Sequence, residues 1–197
     1  MAFLSAISTD LAARARTRVF RLLAVLAAGW LWTAPPAPAA EPSAEYQVKA
    51  VFLFNFALFV EWPATTFADD RAPLVIGVLG DDPFGPYLDE LVRSEQVGGR
   101  PLQVRRLHKT EEIAGCHILF VSHGVANFDR IAADLRGHNV LTVGDTDNFN
   151  QLGGMVRFAM ENGKIRLRIN AAAAQDTGLT ISSKLLRWAT IVTPEKG

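Results

Sequence analysis

Three pairs of side chains at the ends of apolar runs are where this 197-residue chain could do chemistry. Asp81 and Asp82 follow LVIGVLG (74–80), Ser122 and His123 close the run that begins HILFV, and Asp145 and Asp147 close NVLTVGD and its turn. If those runs are parallel strands, all three pairs lie beyond carboxyl ends, the place where open α/β sheets bind ligands. Two acidic pairs at adjacent strand ends would suit Mg²⁺, because hard cations take carboxylate oxygens. The competing reading is local: Asp82 before Pro83 reads as a helix N-cap with proline at the first helical position, and GDTDN as turn chemistry. FVSHG resembles a nucleophile elbow but lacks the first glycine of G-x-S-x-G, so Ser122 reads better as the N-cap of a helix starting near Val125. Asp81, Ser122 and Asp145 remain as candidates for a ligand cleft.

The other reactive residue types offer less. His108, His117, His123 and His138 form no HExxH pattern, and Cys116, the sole cysteine, has no partner for a zinc site or an internal disulfide. Within the strand-like CHILFVS it reads as a buried, inert thiol. Neither G-x-G-x-x-G nor a P-loop occurs; Gly98-Gly99 and Gly153-Gly154 read as turn pairs. The sequence thus holds no catalytic constellation, and no metal or cofactor is expected. That favours a binding protein over an enzyme.

The N-terminus reads as a targeting peptide over 1–39: arginines to Arg21, an apolar run from Leu22 to Trp32, then TAPPAPAA with small residues suited to cleavage after Ala39 or Ala40. The apolar run, at about 11 residues, is too short for the roughly 20 that span a bilayer. Export to the periplasm is the expectation. Loss of the leader removes four arginines and one aspartate, leaving 16 basic and 19 acidic side chains and a net charge of about −3. A nucleic-acid role is not expected of a chain so charged, since phosphate binding needs a basic face.

The remaining chain, 40–197, reads as one α/β domain. Short apolar strands (74–80, PLQVRRL, 117–122, 139–145) alternate with helical patterns (PFGPYLDELVRSE, VANFDRIAADLR), which predicts a mostly parallel sheet covered by helices on both faces. GMVRFAME and KIRLRIN, joined by Asn162-Gly163, predict a C-terminal antiparallel hairpin that ends the sheet. AAAAQDT reads as a short helix ended by Gly178. Ser182 caps a second helix with Leu185, Trp188, Ala189 and Val192 as its inward stripe and Ile181 and Leu186 as a hydrophobic staple. Arg166 and Arg168 alternate outward on the last strand, as a solvated face would.

AVFLFNFALFVEWP (50–63) predicts a helix over 45–62, stopped by Pro63. Its apolar part, about 15 Å long at 1.5 Å per residue, cannot cross a bilayer core of about 30 Å. Being apolar almost all round, it must be covered on its second face by another helix, a second subunit or a partner. Phe59 and Trp62 at its end, with Arg187 and Trp188 near the C-terminus, are the candidate partner contacts; for each, core packing is the alternative.

The blocks KAVFLFNFALFVEWP, LTVGDTDNF with GGMVRF, KIRLRIN and GLTISSKLLRWA, in that order from Tyr46 to Ala189, resemble the YfiR family of exported regulators. The resemblance implies a periplasmic α/β protein, dimeric, that binds the periplasmic domain of an inner-membrane diguanylate cyclase and holds it inactive, so that cyclic-di-GMP output and biofilm formation rise on release. It supplies no catalytic residues. Redox control through disulfide pairs, described for some members, is not carried over, because Cys116 stands alone. Two other readings stay open: a periplasmic small-ligand binding module using the cleft at Asp81, Ser122 and Asp145, and a hydrolase using the same residues.

Overall fold

The computed structural model describes residues 41–193; the expected leader, 1–39, lies outside them. The apolar segment is a helix, α1 (Ala44–Phe59), but it ends at Phe59 rather than Trp62. Val60 is already extended, at φ −113° and ψ 137°, and Val60–Glu61 form a two-residue strand, β1, antiparallel to β9 (Thr180–Ile181). The cause is local. Pro63 disfavours the helical basin for Trp62, Val60 is β-branched, and the β9 pairing satisfies backbone groups that a longer helix would have used.

The buried residues of α1 are Lys49, Ala50, Leu53, Phe56 and Ala57, the three-and-four spacing of one helix face. Val48, Val51 and Leu58 on the other side are 46%, 39% and 48% exposed. The described residues therefore cover this helix on one face only, and the expected second cover is not supplied by them.

The remaining elements are β2 (Leu74–Leu79), α2 (Pro86–Val92), β3 (Gln96–Val97), β4 (Arg100–Leu107), β5 (Ile118–Val121), α3 (Phe128–Asp134), β6 (Leu141–Gly144), β7 (Val156–Glu161), β8 (Lys164–Ile169), α4 (Ala171–Asp176), α5 (Ser183–Leu186) and β10 (Ala189–Ile191). The main sheet runs β10-β8-β7-β6-β5-β2-β4-β3. All its neighbours pair in parallel except β7 with β8 and β3 with β4. The central strands β2, β5 and β6 are buried along their whole length, as near-continuous apolar runs in a parallel sheet should be. Their side chains alternate between two cores. Leu74, Ile76, Val78, Ile118 and Phe120 pack with α1 and α2, while Val75, Leu79, Leu119 and Val121 pack with Phe128 and Ile131 of α3. This is the expected mostly parallel α/β sheet with helices on both faces.

The β7–β8 hairpin turns at Asn162 (φ 51°) and Gly163 (φ 71°), the two positive dihedrals that a two-residue turn of matching twist requires. It does not end the sheet, however. The helix expected from Ser182 through Val192 is a single turn, α5, after which β10 pairs in parallel with β8 and becomes the edge. Thr190, Ile191 and Val192 explain the difference: a β-branched run favours extended backbone over a helical stripe.

Of the three expected helix caps, one forms. The Ser182 side chain accepts from Lys184 N–H at 3.3 Å, as expected. Asp82 caps no helix; α2 starts at Pro86 behind Gly85, and the Asp82 carboxylate accepts from Phe84 N–H at 2.8 Å instead. Ser122 caps none either, since α3 begins at Phe128 behind Asn127, and the Ser122 carbonyl accepts from Val125 N–H at 3.1 Å in a turn. Between β6 and β7 the Phe149 ring is pressed between Gly144 and Gly154, where a methyl on either would overlap it. These glycines are therefore required by packing, beyond the turn role expected of Gly154.

Candidate functional site

Asp145 emerges from the end of β6 directly beneath the first turns of α1. Lys49 lies one helical turn after both Glu45 and Tyr46, at i+4 and i+3, so α1 brings each of them to its ammonium. The Lys49 ammonium, with its side chain 4% exposed, donates to Asp145 Oδ2 at 2.6 Å and lies 2.6 Å from Glu45 Oε1. Tyr46 donates its hydroxyl to the same Oδ2 at 3.1 Å, and its ring lies 4.2 Å from Lys49 Nζ. Asp145 Oδ1 is buried and has no hydrogen-bond partner among the described residues. A cleft of about 380 Å³ opens beside this network, walled also by His123, Asp147, Arg157 and Met160.

Burial pushes the Lys49 pKa down, but the hydrogen bonds its ammonium donates to Asp145 and Glu45, with the Asp145 charge, outweigh it and leave the pKa above its ordinary value. Lys49 is thus held as a cation and is not a candidate nucleophile, which would need a depressed pKa. Burial, then the Asp145 charge, raises the Tyr46 pKa against the pull of Lys49, so the phenol stays protonated. The arrangement is that of a charged strut tying α1 to the sheet, with spare hydrogen-bonding capacity at one oxygen.

Asp81, Ser122 and Asp145 follow β2, β5 and β6, three neighbouring strands of the sheet. Only Asp145 lines the cleft; Ser122 is 8% exposed and Asp81 lies at the surface. Asp82 serves the fold, binding Arg106 Nε at 2.9 Å, while Arg106 also holds Asp89. Among the described residues no group of three or more His, Cys, Asp or Glu is placed to hold a metal ion. Cys116 is buried over Gly77, and burial raises its pKa, the environment of an unreactive thiol.

His117 is a structural histidine. Its Nδ1 accepts from Val75 N–H at 3.1 Å, its ring stacks on Phe67 at 4.6 Å, the Arg100 guanidinium lies 3.8 Å from the centre of the same Phe67 ring, and Trp62 meets the imidazole edge-on at 6.4 Å. Burial first, and the Arg100 charge second, lower its pKa to about 4. Since the unfolded chain binds this proton near pH 6.5 and the folded one does not, the contribution of His117 is intact above pH 6.5. Stability should be lost as pH falls from about 6.5 towards 4, at about 1.4 kcal/mol per pH unit and about 3 kcal/mol in all. Denaturant melts across that range, compared with His117→Asn, check this: the variant, less stable at neutral pH, should lose this part of the acid slope.

Of the four candidate contact residues, Phe59 and Trp62 flank a strand that leads back to the C-terminal segment carrying Arg187 and Trp188. The β1–β9 pairing, with Ser182 N–H donating to the Phe59 carbonyl at 2.8 Å, fastens the end of α1 to the segment that leads into α5. Phe59 and Trp62 are half-buried against the core, and Trp62 Nε1 is buried without a partner among the described residues. Arg187 is exposed, and Trp188, expected on an inward stripe, is instead 81% exposed.

Residues 46–190 match the family described as DUF4154, YfiR/HmsC-like. The chain belongs to the YfiR/HmsC-like family. This is a family of periplasmic regulators, non-catalytic, that act on membrane signalling proteins. No curated protein matches the chain. Among solved structures, an ABC domain from Streptococcus pneumoniae in complex with L-Trp is similar at a TM-score of 0.42 and 15% identity, over 60% of this chain and 55% of that one. A likeness that distant carries no argument, and the chain spans only about half of that structure. Among the described residues, no helix of this YfiR/HmsC-like chain is long and apolar enough to cross a membrane.

The Lys49–Asp145 strut escaped the sequence reading of this family member. Lys49 stood in EYQVK, read as the polar start of a helix, and its partner lies 96 residues away. The one available signal was a lysine placed four residues after Glu45 and flanked by an apolar run.

Proposed function

We propose that this YfiR/HmsC-like protein is an exported inhibitory binding protein that holds the periplasmic domain of a membrane-anchored diguanylate cyclase in an inactive state and so lowers cyclic-di-GMP signalling. The observation that carries this reading is Trp188, a large aromatic side chain that is 81% exposed beside exposed Arg187. Tryptophan and arginine are the residues that dominate protein-binding hot spots, and a tryptophan contributes nothing to the core from that position. Ile191, 51% exposed, follows three residues later on the edge strand β10. The uncovered face of α1, with Val48, Val51 and Leu58, supports a second association surface, and we assign it to a homodimer. Phe59 and Trp62, half-buried at and just after the end of α1, are the further proposed contacts, with core packing as their alternative role.

A titration of the chain against the periplasmic domain of a membrane-anchored diguanylate cyclase from the same cell tests the surface. Trp188→Ala should weaken binding about 30-fold, equivalent to about 2 kcal/mol, with the melting temperature unchanged. Wild-type affinity in Trp188→Ala would remove this surface from the reading.

A second reading, a periplasmic small-ligand sensor, is favoured by the cleft beside Asp145 and by its buried, unpartnered Oδ1. Ligand-dependent stabilisation that is lost in Asp145→Asn would support it.

A further inference from the structure

We propose that the β7–β8 hairpin carries a binding site for a small oxyanion, a phosphate or a carboxylate, held between Arg157 and Arg168. The two arginines are direct cross-strand partners in the antiparallel ladder. Like charges placed opposite one another destabilise a sheet unless something compensates them. Each guanidinium finds one carboxylate through its outer Nη2: Asp147 for Arg157, and Glu161 at 2.9 Å for Arg168. Those partners are weak ones. The Asp147 side chain is fully exposed and that of Glu161 is 43% exposed, so both pairs are screened by water.

The inner donors tell the rest. Nε of Arg157 and Nε of Arg168 are both buried, and neither has a hydrogen-bond partner among the described residues. Both side chains line one cavity of about 320 Å³, together with Asn150, Gln151 and Thr193. Asp147 supplies its sole lining carboxylate against the two guanidinium groups, so the cavity is electropositive. A planar guanidinium matches the geometry of an oxyanion through two parallel N–H donors. One anion seated between the pair, with exposed Asp147 swung aside, satisfies both orphaned donors and removes the like-charge repulsion at the same time. The volume is at the small end for ligand cavities, about 300 Å³ upward, which suits phosphate or a short carboxylate and not a large cofactor. This inference is independent of the partner reading, although Arg168 is in register with Thr190 on β10, and Val192 and Thr193, which line the cavity, follow directly on that strand.

The test is a thermal melt of the full chain with inorganic phosphate titrated against chloride at constant ionic strength, and with acetate in a parallel series. A saturable rise of several degrees is expected with at least one of the two; the series that gives it identifies the oxyanion class. Arg157→Gln and Arg168→Gln, each checked for folding by circular dichroism, should abolish the rise, and Arg168→Lys should retain part of it. If one glutamine variant fails to fold, the other decides alone, and the lysine variant tests the guanidinium in either case. No rise in the wild-type chain with either anion, or an equal rise in the glutamine variants, overturns the proposal.

Discussion

Replacing Lys49 by methionine should lower the stability of the fold by about 3 to 5 kcal/mol, one of the two largest single-residue losses expected in this protein. The substitution nearly preserves the volume and the unbranched stem, so the loss is electrostatic. Asp145, with its side chain 8% exposed, would keep only the Tyr46 hydroxyl as a partner and remain a buried charge without its counter-ion. Glu45, 41% exposed, can turn to water and adds little. Removing both members of the pair, as Lys49→Met with Asp145→Asn, should restore much of the loss, because the cost lies in the stranded charge and not in the missing contact. Urea denaturation of the two single variants and the double variant supplies the comparison. A Lys49→Met variant within about 1 kcal/mol of wild type would show that the strut is not what fastens α1 to the sheet.

Phe56→Ala should cost a similar amount, about 3 to 5 kcal/mol, through the cavity it leaves. Phe56 is fully buried, with its ring centroid 6.0 Å from that of Phe158 on β7 and 6.4 Å from that of Phe52. The surrounding rings belong to α1 and to the sheet, two elements fixed by other contacts, so the site cannot collapse to fill the void. Phe52, only half-buried, should cost less when truncated. On the other side of the same helix, Val51→Ser should fall within about 0.5 kcal/mol of wild type, because Val51 is already 39% exposed. Equal losses from Phe56→Ala and Val51→Ser would mean that both faces of α1 are covered in solution, and would favour the dimer directly.

Strand positions were legible because parallel central strands are continuous apolar runs, and the hairpin because Asn162-Gly163 encodes its own turn. What escaped depends on contacts distant in sequence. The end of α1 was misplaced because the strand partner that captures Val60 and Glu61 lies about 120 residues later, at Thr180 and Ile181. Trp188 was assigned to a helical stripe because Leu185, Trp188 and Val192 satisfy a period of 3.6, whereas the β-branched run after it favours the sheet edge. Helix starts failed at Asp82 and Ser122 for a shared reason: each residue has strong turn chemistry, and turns were formed where caps were expected. Among the candidate cleft residues, Asp145 could be placed at a strand end from sequence, but its burial against Lys49 could not.

The most direct test of the inhibitory role is the cyclic-di-GMP content of cells lacking this chain, set beside cells complemented with wild type or with Trp188→Ala present at equal amounts in the periplasmic fraction. The account predicts that deletion raises cyclic-di-GMP, that wild type restores the low level and that Trp188→Ala leaves it high. Cyclic-di-GMP unchanged by deletion would contradict it.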